Sequence, residues 1–202
     1  MTDRTAENTP TLVTGRLLLR RACPADAPAF LKLLGDVTTN TFLPWYPVQT
    51  LQQTLQHLEE QFFSFYQKPS AYRYAVCLKT QGVPIGYVNV GEGDSRDLGY
   101  ALRREYWGQG LVTEAARAVV ERLRASGAAR LTATHDVNNP ASGRVMRKLG
   151  FTYRYSYIEQ WQPKDIPVTF RMYQLDFVPG TGTYMGYWQR YPTHFIEKSN
   201  EW

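Results

Sequence analysis

The chain has 202 residues, 43% of them apolar, and a formal net charge of +5. That length suits one domain able to bury about 70% of its unfolded surface, with no need of disulfide or metal staples. Cys23 and Cys77 are far apart, no Cys/His cluster has metal-ligand spacing, and no apolar run nears the roughly 18 residues of a membrane span; a metal site, a disulfide framework and a membrane partner are therefore not expected. The first residues, MTDRTAENTPT, lack the apolar stretch of a signal peptide, which with the cysteine usage predicts a cytoplasmic protein. The positive charge favours an anionic ligand, but the basic residues are spread out. Their dense clusters are Arg20-Arg21, Arg103-Arg104 and Arg144 with Arg147-Lys148, and no nucleic-acid readout motif accompanies them.

In chain order, residues 17–22 (LLLRRA) read as a strand and 24–36 as a helix, with Pro24 near its start and Gly35 near its end. Residues 38–47 read as a loop broken by Pro44 and Pro47 and carrying Phe42, Trp45 and Tyr46. Leu51, Leu55, Leu58 and Phe62 recur at helical spacing, which predicts a helix over 51–66. The period then shortens, and 71–79, 84–91 and 96–103 read as three strands of a meander. A helix over 111–127 carries the apolar stripe Leu111, Ala115, Ala118, Val119, Leu123 and stops at Gly127. Residues 129–136 form a strand, and 139–150 a helix opened by Asn139 with Pro140 and closed by Gly150. Strands over 151–161 and 168–177 complete a mixed α/β sheet in a domain ending at 178. The tail 179–202 begins with the linker PGTGT and then carries Tyr184, Tyr187, Trp188 and Tyr191 at helical spacing. Free tails are poor in aromatics, so this one is expected to dock on its own domain or on a second subunit of a homodimer.

The stretch REYWGQGLVTEA (104–115) sets Gly108 and Gly110 one residue apart between a strand and a helix. Leu111 stands where a Walker-type loop needs Lys, and Thr113 where a dinucleotide fingerprint needs Gly. What remains is generic: two residues without side chains, then a helix offering unpaired N–H groups and a hydroxyl from Thr113. On spacing alone this is a phosphate cradle or a tight strand-to-helix turn.

Two spaced motifs, GYALRREYWGQGLVTEA and then NNPASGRVMRKLGF, resemble the GNAT superfamily of N-acetyltransferases, and most closely its ribosomal-protein N-terminal acetyltransferases. The resemblance covers roughly 14–178 and is strongest over 97–151. It implies a strongly twisted mixed sheet flanked by helices and acetyl-CoA as co-substrate. The turn made of Arg103, Arg104, Trp107, Gly108, Gln109, Gly110, Leu111, Val112 and Thr113 would hold the pyrophosphate, and Asn139 and Ser142 would border the pantetheine and thiol. Two positions depart from the pattern. Glu105 stands where the family usually has Arg or Gln, so that Arg103 or Arg104 would supply the charge. Met146 stands where many members carry the Tyr that protonates the thiolate.

The implied mechanism is direct attack of a neutral amine on the thioester. A backbone N–H of the strand ending at Leu102 would stabilise the oxyanion, unless Leu102 is an ordinary ladder residue. Ser142 would protonate the leaving thiolate, or is only a first-turn residue bonded to backbone. The base candidates are Asp97, Glu105, His135, Asp136 and Glu159, with Asp97 ranked first and His135 read as structural. Trp45, Tyr46, Glu159 and Trp161 would grip the acceptor amine, unless the aromatics are core or dimer contacts. The acceptor, a protein N-terminus or a small amine, is not encoded legibly. The alternative function is an acyl-CoA-binding protein without transferase activity.

Overall fold

A computed structural model describes residues 8–68 and 72–198. The start of the polar N-terminal stretch, Ala71 of an expected strand and residues 199–202 of the tail lie outside the described residues. Two short strands, β1 (Leu12–Val13) and β2 (Leu17–Arg20), lead into a 3-10 turn at Pro24–Asp26 and helix α1 (Ala27–Leu34). Asp26 anchors that turn by accepting from the Cys23 N–H at 2.9 Å and from both terminal nitrogens of Arg20 at 2.7 Å. The expected loop after it contains one helical turn, α2 (Val37–Asn40), because the Asp36 side chain caps it by accepting from the Thr39 N–H at 2.6 Å. Helix α3 (Leu51–Gln61) opens with a capping box in which Thr50 and Gln53 exchange side-chain-to-backbone bonds. It ends five residues earlier than its periodicity predicts, and 3-10 structure takes over at Phe63–Gln67.

Strands β3 (Tyr72–Leu78), β4 (Pro84–Val90) and β5 (Leu98–Leu102) join β1 and β2 in an antiparallel sheet ordered β1-β2-β3-β4-β5. Helix α4 (Leu111–Ala125) crosses to β6 (Arg130–Asp136), and α5 (Pro140–Lys148) follows. Strands β7 (Thr152–Trp161) and β8 (Ile166–Asp176) pair with β6 in a second antiparallel sheet. The order in it is β6-β8-β7-β9, where β9 (His194–Phe195) comes from the C-terminal segment after the short helix α6 (Gly186–Arg190). Among the described residues, the two sheets meet at a single parallel bridge, Asp97 to Thr132.

Strand alternation assigns the faces. Leu98 and Leu102 of β5 pack with Leu111, Ala115, Val119 and Leu123 of α4 and with Met146 of α5 in the largest core cluster. The small Ala115 and Ala116 let α4 lie close to both sheets. On the opposite face, Ala75 and Tyr87 pack under Phe30, Leu34, Leu58 and Phe62 of α1 and α3. Ala101 belongs to this second face, and so by alternation do Gly99 and Asp97. A third cluster on the second sheet sets Tyr155, Tyr157, Phe170 and Met172 against Tyr184, Tyr187, Trp188 and Tyr191. No helix is long and apolar enough to cross a membrane among the described residues.

Candidate active site

Past the Asp97–Thr132 bridge, β5 and β6 share no ladder, and a wedge opens between them. The Gly91 N–H donates to Asp97 O at 2.8 Å and the Arg103 N–H donates to Ile85 O at 2.8 Å, so the odd-numbered backbone groups of β5 face β4. The register between β4 and β5 runs without a bulge, which turns the N–H groups of Tyr100 and Leu102 into the wedge. The Leu102 carbonyl accepts from the Trp107 indole N–H at 2.7 Å, which ties the end of β5 to the glycine turn.

That turn forms one mouth of the wedge. Gly108 and Gly110 have φ of 73° and 74°, in the left-handed region that favours glycine, and a Cβ on Gly108 would meet nothing within 4 Å. No side chain caps α4, and its first backbone bond is Glu114 N–H to Gly110 O at 3.0 Å. The N–H groups of Leu111, Val112 and Thr113 are therefore free of intrahelical partners and carry the positive end of the helix dipole. A groove of about 550 Å³ runs from here along Thr14, Gly110, Thr113, Glu114, Arg117 and Lys148. This open, N–H-lined turn fits a pyrophosphate.

Neither arginine of the Arg103-Arg104 pair is placed as a free cation at the turn. Arg103 is ion-paired with Glu105 and its guanidinium lies 5.5 Å from the Tyr106 ring centre. Arg104 instead acts electrostatically on Asp36. Arg16, from the β1–β2 turn, also reaches the cradle, ion-paired with Glu114: its NH2 lies 3.7 Å from where a Gly110 Cβ would be. Arg16 is held by Glu114 at 2.7 Å and by the Gln109 carbonyl at 3.0 Å, while Glu114 also accepts from Thr14 at 2.5 Å.

At the other wall, Asn139 caps α5 by accepting from the Ser142 N–H at 3.2 Å. The Tyr100 hydroxyl reaches across the wedge to Ser142, 3.0 Å from both its carbonyl oxygen and its Oγ. Met146 is buried in the core and presents nothing to the wedge. His135 is 4% exposed beneath α5, and a Cβ on Gly143 would lie 2.7 Å from its Nε2. Burial lowers the His135 pKa, and its Nδ1 faces the Asp136 carbonyl at 2.7 Å. Asp136 braces the turn by accepting from the Asn138 N–H at 2.8 Å.

On the face away from α4, Tyr46 reaches the Pro163 carbonyl at 3.5 Å and Lys164 donates to the Asn40 carbonyl at 2.8 Å. The 38–47 loop and the β7–β8 hairpin thus meet. Trp45 is used structurally there: its indole donates to Asn40 at 3.1 Å and packs edge-on to His57. Trp161 packs on Phe170 at 5.3 Å. One acid, Asp97, belongs to the wedge itself, and the other, Glu159, lies on β7. Asp97 is at the closed end of the wedge, accepting from Thr132 at 2.7 Å; burial raises its pKa to about 6, opposed by the Thr132, Tyr187 and Thr134 hydroxyls. Leu102 is five residues further along β5, about 16 Å at strand rise. The Val137 N–H bonds Thr169 O at 2.9 Å, beside Val168, which pairs with Glu159. Glu159 lies on β7 opposite Val168 of β8; its pKa is raised by burial, opposed by a Tyr191 hydroxyl and by Arg190.

The model of the acetyltransferase (GNAT) domain matches residues 16–152. The chain belongs to this family. It is 25% identical over 147 residues to YoaA of Bacillus subtilis (strain 168), an uncharacterized N-acetyltransferase, a match spanning 70% of this chain and 82% of that protein. Its fold is shared with an acetyltransferase from Salmonella typhimurium that modifies the N-terminal serine of ribosomal protein L7/L12, at TM-score 0.70 and 22% identity, covering 82% of this chain and 97% of that one. It is shared likewise with the microcin C7 self-immunity acetyltransferase MccE, solved with acetyl-CoA and AMP, at TM-score 0.71 and 17% identity over 84% and 98% of the two chains.

In this GNAT acetyltransferase, sequence reading places the glycine turn, the α5 N-terminus and the loop–hairpin pair around one wedge. It names the tail tyrosines as docked on the protein but does not name Tyr100 or Arg16. Tyr100 had a signal, since it shares strand parity with Leu98 and Leu102. Arg16 had none, because its contact with the turn closes over most of the domain. Among the described residues no cluster of His, Cys, Asp and Glu could hold a metal ion.

Proposed function

We propose that the chain transfers the acetyl group of acetyl-CoA to a primary amine by direct attack. The observation that carries this is the wedge: free strand N–H groups, a hydroxyl pair and an uncapped helix N-terminus line one continuous opening. Acetyl-CoA brings an activated thioester and a thiolate leaving group. The residues of the cradle and Arg16, Arg117 and Lys148 offer N–H groups and positive charge to its phosphates. The N–H groups of Leu102 and Tyr100 are fixed donors for charge developing on a carbonyl oxygen between the strands.

Ser142 is the proton donor to the thiolate, taking the role that Met146 cannot fill. Tyr100 has one hydroxyl hydrogen and two acceptors at 3.0 Å, so it can donate to Ser142 Oγ and leave the serine hydrogen free to donate onward. Asp97, at the closed end of the wedge, and Glu159, on β7 next to the β7–β8 hairpin, are the candidate proton acceptors for the amine. Tyr46, Trp161 and Glu159 border the acceptor side. The acceptor is a protein N-terminus or a small amine.

The test is thermal stability with and without acetyl-CoA, followed by thiol release with a panel of amines and N-terminal peptides. A ligand at 100 times its Kd adds about 2.7 kcal/mol. A clear rise in melting temperature and amine-dependent thiol release are expected. No rise at millimolar acetyl-CoA overturns the reading, and a rise without release from any amine makes the chain a non-catalytic acyl-CoA-binding protein.

A further inference from the structure

Two segments meet beyond the open end of the wedge. The parallel Asp97–Thr132 bridge makes β5 and β6 run the same way, to Leu102 and Asp136. Asp136 pairs with Phe170, whereas β8 starts four residues earlier, at Ile166. The β7–β8 hairpin therefore overhangs the end of β6 by about 13 Å at strand rise. On the β5 side, Trp45 of the 38–47 loop packs in one cluster with Ala101, on the face away from α4. Lys164 of the hairpin joins the two segments: its ammonium donates to the Asn40 carbonyl at 2.8 Å and to the Thr41 carbonyl at 3.4 Å.

Both ends of this bridge are fixed. Asn40 is 1% exposed, and its amide nitrogen lies 3.1, 2.9 and 2.7 Å from the carbonyls of Leu33, Leu34 and Asp36. Its side-chain oxygen accepts from the Trp45 indole at 3.1 Å. The backbone that receives Lys164 is thereby tied to the end of α1. In the hairpin, Gln160 and Gln162 both donate to Asp165 Oδ1, at 2.9 Å and 3.0 Å, and the Lys164 ammonium lies 5.8 Å from the Trp161 ring centre. An ammonium has three hydrogens and no acceptor, so a pair of carbonyls complements it. Hydrogen bonds from a charged donor are roughly twice as strong as neutral ones. Parting the loop from the hairpin means breaking them.

We propose that Lys164 is a specificity-determining residue: it straps the 38–47 loop to the β7–β8 hairpin and so restricts the acceptor to primary amines carried on a slender, unbranched carbon. The proposal rests on the acetyltransferase reading above. The cradle takes acetyl-CoA on the α4 side, so the amine comes to the thioester from the opposite face, past the strap. A slender acceptor passes with the strap closed. An acceptor branched beside its nitrogen must first part the loop from the hairpin. The lost Lys164 bonds then weigh on one acceptor and not on the other, which is the form discrimination takes when a site works against the wrong partner.

The experiment compares the full-length wild type with Lys164→Met, which keeps the stem and removes the donors, and with Lys164→Arg, which keeps a cationic donor. Thiol release gives kcat/KM for a slender and a bulky member of the acceptor class that wild type uses. The pairs are peptides beginning with Gly and with Phe, or n-butylamine and its isomer branched beside the nitrogen. Wild type is expected to favour the slender member by about tenfold or more. Lys164→Met narrows that ratio about tenfold by raising kcat/KM for the bulky member, whereas Lys164→Arg holds the wild-type ratio. The rise in melting temperature given by acetyl-CoA is the same in all three. An unaltered ratio in Lys164→Met overturns the proposal, as do equal narrowing in Lys164→Arg, a wild type that does not discriminate, and loss of the acetyl-CoA shift in Lys164→Met. If wild type itself turns over no amine, the enzymatic reading fails first and takes the proposal with it.

Discussion

Asp97 shows how the place of one carboxyl in the fold sets its titration. Its carboxyl is buried at the junction of the two sheets, and its pKa of about 6 lies above the ~3.9 of an unfolded chain. The folded state therefore binds this proton more tightly than the unfolded state. The carboxyl costs nothing below about pH 4, and the cost grows as pH rises through the two values, reaching on the order of 3 kcal/mol above pH 7. Asp97→Asn removes that dependence. Its stability relative to wild type, measured by urea denaturation, should improve by that amount between pH 4 and pH 8; a difference constant with pH would show that the site titrates normally. Ser142 and Tyr100 make the complementary case. Neither carries a charge near neutral pH, and their value lies in geometry: burial and the like-charged Asp97 keep the Tyr100 phenol protonated and so able to donate, against the opposing Ser142 hydrogen bond.

At the scale of elements, local signals placed nearly every strand and helix because caps and periodicity are short-range. Asn139 with Pro140 opens α5, Thr50 with Gln53 opens α3, and Gly127 follows α4. The misses have equally local causes. Residues 37–40 are poor helix formers and are held by the single Asp36 cap, while the apolar spacing after Gln61 continues into 3-10 geometry that it cannot distinguish from α. How α5 seats on β6 was not legible. It depends on Gly143, which lets the helix backbone approach the His135 ring. Gly143→Ala is expected to destabilise the protein by about 1–3 kcal/mol, since the new methyl must displace a buried ring. Denaturant titration reads this, and full stability would mean that α5 rides higher on the sheet.

For the whole molecule, the cations at the cradle come from three separate parts of the chain, Arg16 before β2, Arg117 on α4 and Lys148 at the end of α5, with Glu114 and Glu121 among them. Arg16→Ala is expected to weaken acetyl-CoA binding about tenfold at low ionic strength, with the loss shrinking as salt is added. Melting temperature without ligand should barely move, because the Arg16–Glu114 pair is half-exposed and such pairs contribute about 0–1 kcal/mol. Equal affinity for variant and wild type at low salt would remove Arg16 from the cradle. The sequence by itself determined the order of elements, the left-handed glycines of the turn, the capped start of α5 and, through their shared pattern, the family. Each of these is written in residues close along the chain. Only the tertiary structure decided that Arg16 reaches the turn. It alone decided that Tyr100 meets Ser142 and that the tail's aromatics lie on β7 and β8. Those facts depend on strand register and face, which are fixed when distant segments pair and which no local pattern records.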